Sequence, residues 1–537
     1  MRRNIRIIGV LAAPLPVLAL AVPANAVSSA AAPRVVLSAA AVPGLAQATH
    51  TGALASSREL SLQVSLKPRN QDKLAAFIRA VSDPHSSSYK HYLTVAQYAA
   101  EYGATDAQVQ SVTSYLRSAG LSVGQVTANH LTLSVSGTTA QVEKAFDVSI
   151  GTYQTNARSF YANEAAPSLP SSIASVVSGV AGLSTSSVRT AAATATPHAV
   201  TSKATLALTP TLARSGYNLT SSISSGYNGS GVTIGLVEFS SYSASAVAAY
   251  NTKYSLGATA ASVVKVDGGT TDSSGAVEDE LDIEVEYALA PKATVKVYEA
   301  PNTDAGEVAL YAALVSADVP VISSSWGEPE TEENNLASDH ADFVEAAAQG
   351  QSVYSASGDS GADDNGSSLS VDYPASDPYV SGVGGTNLTE TSGAWKSETA
   401  WSDSGGGKSV EYATPSFQSA VNTTGDREVP DVAAAGGPNS PWYIDAGGWE
   451  DVWGTSAAAP NWAAFTADYD TAAATLGKAK FGYANSFIYT VAQSSSYSSA
   501  FHDVKSGNNG GYSAGTGYDP VTGWGSYNGA NFIADEL

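Results

Sequence analysis

Trp453-Gly454-Thr455-Ser456-Ala457-Ala458-Ala459-Pro460 is the stretch around which the rest of the chain is organised. Gly454 lets the backbone turn tightly, and Ala457 to Ala459 start a helix with little side-chain bulk. A serine at the head of a helix has its Oγ and its backbone N–H facing one spot, the arrangement an acyl-transfer nucleophile needs. A Thr or Ser at that place also serves as an ordinary helix cap. The turn alone does not separate the two uses; the chain on either side does.

Working outward, residues 211–537 read as an α/β module. Apolar runs at 232–239, 293–299, 319–324 and 352–356 read as buried strands. Helical periodicity fills 277–289, 307–316 and 339–349 between them. Strands alternating with helices imply a mostly parallel sheet covered on both faces, with its site beyond the C-terminal strand ends. Glu238, Trp326 and Asp359 all fall at such ends.

A nucleophilic serine needs a base. The histidines stand at 50, 85, 91, 130, 198, 340 and 502, and none is followed by Gly-Thr, the setting of the histidine base in subtilisin-like proteases, whose nucleophile turn Gly454 to Pro460 resembles. Only His340 and His502 lie inside the module, so a Ser-His-Asp triad is disfavoured. Carboxylates remain. Glu278-Asp279-Glu280-Leu281-Asp282-Ile283-Glu284-Val285-Glu286 is a dense acidic run on an expected helix. Glu278 and Asp282 are i and i+4, one turn apart on the same face, and two carboxylates held so close push one pKa up. Asp279, Glu280 and Glu286 read as a solvated acidic face near a helix N-terminus.

Together these motifs resemble the sedolisin (serine-carboxyl peptidase) family, and kumamolisin-like members of it. They are Glu278 and Asp282 on a helix, Gly358-Asp359-Ser360-Gly361, and the Gly454-Thr455-Ser456 turn before Pro460, in that order. Ala288-Leu289-Ala290-Pro291, Asp372-Tyr373-Pro374-Ala375, Gly384-Gly385-Thr386 and Val429-Pro430-Asp431-Val432 extend the match. The resemblance implies a subtilisin-like α/β catalytic domain preceded by an α+β ferredoxin-like pro-domain. It implies Ser456 as nucleophile, Glu278 as general base and then acid, and Asp282 orienting Glu278. It makes Asp359 the partner of the Ser456 N–H in an oxyanion hole. A carboxyl donates that hydrogen bond only when protonated, which an exposed aspartate is below about pH 4 and a buried one at higher pH. Glu238 and Trp326 follow as partners of the acidic pair. Ser325-Trp326-Gly327 and Gly405-Gly406 are implied as strands that pair with the substrate backbone.

Phe501-His502-Asp503-Val504 and Gly515-Thr516-Gly517-Tyr518-Asp519-Pro520 place two aspartates around a glycine-rich loop. That suits either a turn or a hard cation with oxygen ligands. The family resemblance implies one structural Ca2+, held by Asp503 and Asp519 and by the carbonyls of Val504, Gly515 and Gly517.

The chain carries 26 Lys and Arg against 49 Asp and Glu, a net charge of −23, which disfavours nucleic acid and anionic membranes as partners. It has no cysteine, so disulfides and thiolate metal sites are excluded. Residues 1–26 read as a signal peptide: a basic start, an apolar run and Ala24-Asn25-Ala26 as the cleavage site. Residues 27–183 form a compact α+β pattern with expected strands at 60–66, 121–126 and 130–135 and helices at 71–81, 106–117 and 139–146. Residues 184–210 read as an exposed Ser/Thr/Ala linker that is easily cut. Small domain, cuttable linker and large domain form the layout of a zymogen: a secreted, extracellular, acid-active endopeptidase, monomeric, with polypeptide substrates and its own pro-domain as intramolecular inhibitor. A tripeptidyl-peptidase of the same family, or an inactive secreted binding protein on this scaffold, are the alternatives.

Overall fold

The strands of the second module carry apolar residues on both faces, as a parallel sheet between two layers of helices requires. Ile234, Leu236, Val237, Val295, Val297, Val321 and Ile322 are all buried. The computed structural model describes residues 33–37, 42, 45–156, 158–191, 194–197 and 207–537; the expected signal peptide lies outside the described residues. The strands join in an eight-stranded sheet. Its spatial order is Ser262–Lys265, Thr294–Glu299, Thr233–Glu238, Val321–Ser324, Ser352–Ala356, Ser381–Glu390 and Trp395–Ala400, with Val432–Ala435 paired beside Ser381–Glu390. Only the Trp395–Ala400 edge is antiparallel. From Thr233–Glu238 the chain first builds to one side of the sheet, then returns to lay Val321–Ser324 on the other. A crevice opens at the C-terminal strand ends of such a switch point. Glu238 ends its strand there, Ser325 follows Ser324, and Asp359 stands three residues beyond Ala356.

Two buried helices meet behind this crevice: Ala276–Leu289, the acidic helix, and Thr455–Leu476, the serine helix. Ala457, Ala458, Ala459, Ala463, Ala464 and Ala467 are fully buried, and their small size permits the close approach. The acidic run is not a solvated face. Asp279 and Glu286 are 0% exposed and Glu280 is 2% exposed. Apolar Leu281, Ile283 and Val285 alternate with the carboxylates, so the helix has no polar side to turn to water. The serine helix, the helices Pro210–Gly216 and Ala244–Tyr254 and the strand Trp442–Asp445 surround it.

The first module is a four-stranded antiparallel sheet in the order Ser122–Val126, Thr132–Thr138, Glu59–Leu66, Val177–Ala181. Helices Gln71–Ser82, Asp106–Ser118 and Thr139–Phe146 cover it, giving the ferredoxin-like arrangement expected from the resemblance. It docks on the helices Asp304–Ser316 and Leu336–Gln349 of the second module, with Ala347, Ala348 and Tyr483 entering its core. Asn129 Nδ2 donates to Glu345 Oε2 at 2.7 Å across this junction.

The connection between the modules differs from the exposed tether expected. Ser184, Ser187 and Arg189 are at most 5% exposed. Thr190–Ala191 is a strand paired with the second module, and so is Thr194–Pro197. The composition of the segment is that of a flexible chain, but its free backbone N–H and C=O groups are satisfied by adding to strand edges.

Candidate active site

Gly454 has φ 153° and ψ 163°, a backbone region open to glycine. The helix then begins at Thr455 with no side-chain cap, so neither Thr455 nor Ser456 serves as one. Thr455 turns to Asp359 instead: its N–H and its Oγ1 both donate to Asp359 Oδ1, each at 2.8 Å. Ser456 Oγ is buried and makes no hydrogen bond among the described residues. Its N–H lies in the first helical turn, where backbone donors have no intrahelical acceptor.

Behind the serine is a cluster of carboxyls. Glu278, on the acidic helix, is 1% exposed, and Asp282 one turn on is 0% exposed. Ser325 Oγ lies 2.8 Å from Asp282 Oδ1 and 3.1 Å from the Ser456 carbonyl oxygen, tying the acidic pair to the serine turn. Trp326 Nε1 donates to Glu238 Oε2 at 2.7 Å. The Glu238 carboxyl lies within hydrogen-bonding reach of both Asp279 and Asp282. Among the described residues no N–H or hydroxyl reaches either oxygen of Asp279, Glu238 Oε1 or Asp282 Oδ2. Two acceptors bond only through a proton between them, so this group holds protons. Burial, followed by the neighbouring carboxylates, pushes Glu238 and Asp282 well above the ordinary range; burial does the same for Asp279.

Asp359 faces the serine turn from the opposite side. Burial pushes its carboxyl up to about 8, against the Thr455 hydrogen bonds that pull it down. Oδ1 is occupied by Thr455, while Oδ2 is buried with no partner among the described residues. A cavity of about 210 Å3 opens beside it, lined by Ser325, Gly327, Gly358, Asp359 and Asp372 on one side and Thr190 and Ala191 on the other.

The inter-module segment lies along this crevice. Thr190 and Ala191 pair antiparallel with Gly327 and Trp326. Thr194–Pro197 pairs antiparallel with Glu450–Trp453, the strand that leads into the serine turn. Gly405 and Gly406 are not in this pairing. Gly405 donates to the Gly358 carbonyl at 2.7 Å and accepts from Ser357 Oγ at 2.8 Å, and the Gly406 carbonyl accepts from Asn509 Nδ2 at 3.1 Å.

The two histidines of the second module, His340 and His502, are engaged elsewhere. His340 Nδ1 contacts Asp377 Oδ2 at 2.7 Å, and His502 stacks on Trp395 at 4.1 Å between ring centroids.

At the C-terminal loop, Asp503 Oδ1 accepts from Gly517 N at 3.1 Å and Asp519 Oδ2 from Gly515 N at 2.9 Å. The two carboxylates therefore close on the glycine-rich loop. Among the described residues no backbone N–H donates to the carbonyls of Val504, Gly515 or Gly517, although Val504 is 1% exposed. Two carboxylates and three carbonyls without a backbone donor are oxygen ligands of the kind a hard cation takes, although Lys505 Nζ lies 3.2 Å from Asp503 Oδ2 and Asp519 Oδ1 accepts from Val521 N, Thr522 N and Thr522 Oγ1.

Sequence reasoning missed three residues of this region. Thr455 was legible in part, since it adjoins Ser456. The burial of Asp279 against Glu238 had no sequence signal. Nor had Arg189, which is 1% exposed on the segment read as a loose linker.

Residues 46–186 match the family model described as the pro-kumamolisin activation domain, and residues 259–481 that of the subtilase family. Xanthomonalisin of Xanthomonas sp. (strain T-22) is 30% identical over 88% of this chain, which spans 65% of that relative's length. Kumamolisin of Bacillus sp. (strain MN-32) is 31% identical, over 89% of this chain and 92% of its own length. Among solved structures, Pseudomonas sedolisin (serine-carboxyl proteinase) complexed with pseudo-iodotyrostatin is 30% identical with a TM-score of 0.56, covering 62% of this chain and 98% of that one.

Proposed function

This chain belongs to the sedolisin family of peptidases, which carry an activation domain, and from that premise we propose that it is a secreted, acid-active serine-carboxyl endopeptidase made as a zymogen. The observation that carries this reading is the path of the inter-module segment. Its strands border the serine turn on both sides, by Trp326–Gly327 and by Glu450–Trp453, as a polypeptide substrate would. The linker thereby occupies the cleft that substrates need, and maturation cuts within it.

In this reading Ser456 Oγ attacks the scissile carbonyl carbon while Glu278 accepts its proton. Asp282 orients Glu278, and Ser325 holds Asp282 against the serine turn. Negative charge develops on the carbonyl oxygen, and the Ser456 N–H and protonated Asp359 Oδ2 donate to it. Glu278 then gives its proton to the departing amine, and water releases the acyl group by the same steps reversed. Trp326 and Glu238 keep the acidic cluster in register.

Incubating the purified precursor at about pH 4 and assaying a denatured protein substrate from pH 2 to 8 tests the scheme. The expected result is hydrolysis confined to acid, accompanied by loss of the N-terminal module. Activity centred at neutral pH, or an intact folded precursor inactive throughout, would overturn it. Hydrolysis of N-terminally blocked peptides separates the endopeptidase from a tripeptidyl-peptidase, which requires a free amino end.

Calcium, when bound, would supply electrostatic bracing to the C-terminal loops, held by Asp503, Asp519 and the carbonyls of Val504, Gly515 and Gly517. A chelator is expected to lower the melting temperature by several degrees, through loss of a ligand that binds only the folded state. An unchanged melting temperature with free calcium removed would rule the site out.

A further inference from the structure

Arg189 immediately precedes the strand that lies in the cleft, and its side chain is 0% exposed. The backbone is gripped on both sides by Asn302: Arg189 N donates to Asn302 Oδ1 at 3.0 Å, and Asn302 Nδ2 donates to the Arg189 carbonyl at 2.8 Å. The guanidinium enters a cage built wholly by the second module. It reaches Asp304 Oδ1 at 3.1 Å, Glu333 Oε2 at 3.0 Å and Glu328 Oε1 at 3.2 Å, and also contacts Glu307. Asp339 is 0% exposed with neither oxygen hydrogen-bonded among the described residues, and its carboxylate lies within 4.8 Å of those of Glu307 and Glu333. Five carboxyls therefore converge on one buried spot that a single cation fills.

A maturation cut after position 191 would remove Arg189 and leave the cage. Buried carboxyls stripped of the cation they surround are costly, so the empty cage favours a replacement of the same shape. A planar guanidinium with five N–H donors matches several converging carboxyls; an ammonium does so less well.

We propose that this cage is a substrate subsite on the acyl side of the cleft, and that the enzyme selects polypeptides with an arginine shortly before the scissile bond. This rests on the peptidase reading above. The strands Thr190–Ala191 and Thr194–Pro197 border the serine turn from its two sides, so a cut after position 191, 192 or 193 would make Arg189 the third, fourth or fifth residue before the scissile bond. One carboxyl of the cage keeps its charge in an acidic medium, while burial raises Asp304 to about 6 and Glu307, Glu328 and Asp339 well above their ordinary range. Although burial raises it, the Arg189 guanidinium and hydrogen-bond donors hold Glu333 below its ordinary value.

Two experiments test the proposal. The first uses the matured enzyme and N-terminally blocked peptides with arginine at the third, fourth or fifth position, beside all-alanine and lysine versions. One arginine peptide is expected to exceed the alanine peptide by about 30-fold in kcat/KM. Glu333→Gln should shrink that ratio about tenfold, since it removes the carboxylate that stays charged. If the alanine peptide is cleaved within threefold of every arginine peptide, the subsite is refuted. If neither peptides nor denatured protein are cleaved, the peptidase reading fails and the second experiment alone decides on the cage. There, the full precursor carrying Arg189→Ala should melt several degrees lower, and millimolar methylguanidinium, but not methylammonium, should restore part of the loss. Equal effects of the two cations, or none, would overturn the proposal.

Discussion

Ser456→Ala is expected to leave the precursor uncut under every acid incubation and to lower kcat on protein substrates by about 10⁶-fold. The hydroxyl is buried without a hydrogen-bond partner among the described residues, so no hydrogen bond seen there is lost with it. Removing an unpaired buried hydroxyl is close to neutral for folding, and the variant should melt no lower than the wild-type precursor. Loss of activity without loss of stability is the signature of a reacting atom. Glu278→Gln keeps the shape of the side chain and removes the proton acceptor. It should cost about 10²- to 10⁴-fold, the range of general acid–base catalysis. Self-cleavage by purified Ser456→Ala would mean that another group attacks the bond.

Asp359→Ala should lower kcat by about 10²- to 10³-fold, the effect of removing one oxyanion donor. Asp359→Asn is expected to retain most activity. Its amide oxygen can accept the two Thr455 hydrogen bonds that Oδ1 now accepts. Its NH2 group then stands at Oδ2 and donates without needing a proton from solvent. The sign of the pH effect follows from the position of the carboxyl at about 8. Wild-type Asp359 is a donor below that value and loses its proton as pH rises through it. A falling limb near pH 8 due to Asp359 would therefore disappear in Asp359→Asn, while a limb at lower pH, set by other groups, would remain. An Asn variant as impaired as the Ala variant would remove Asp359 from the oxyanion hole. The measurement is a kcat–pH profile of the three proteins on one blocked peptide.

Local signals were well preserved in the chain. Apolar runs and helical spacing give Ser352–Ala356 and Thr139–Phe146 to the residue, and the acidic helix to within one residue at its start. The helix Val95–Glu101 was missed, though its capping box was readable in Thr94 and Gln97. Motif residues from three distant segments, Asp282, Asp359 and Ser456, do come together at one crevice, through Ser325 and Thr455. What could not be read was set by packing between distant segments. The helix dipole and charge pattern favour a wet face for Asp279 and Glu286, and only the serine helix and its neighbours, far along the chain, enclose them. The linker's composition describes a free chain, whereas its conformation depends on strand edges that the other module offers.

The carboxyls buried around the acidic helix make the medium itself a component of the fold. Glu286 and Asp468 each have both oxygens enclosed with no donor among the described residues, and Asp279 meets only the Glu238 carboxyl. Burial holds all three well above the values they have in an unfolded chain. A carboxyl raised in the folded state keeps a proton that the unfolded chain releases, so its stabilising effect is complete below the unfolded value of about 4 and drains away as pH climbs toward the folded one. Hydrogen ions are thus bound more tightly by the native molecule than by its unfolded chain, as any stabilising ligand would be. An acid habitat keeps those sites saturated, and neutral water withdraws the ligand.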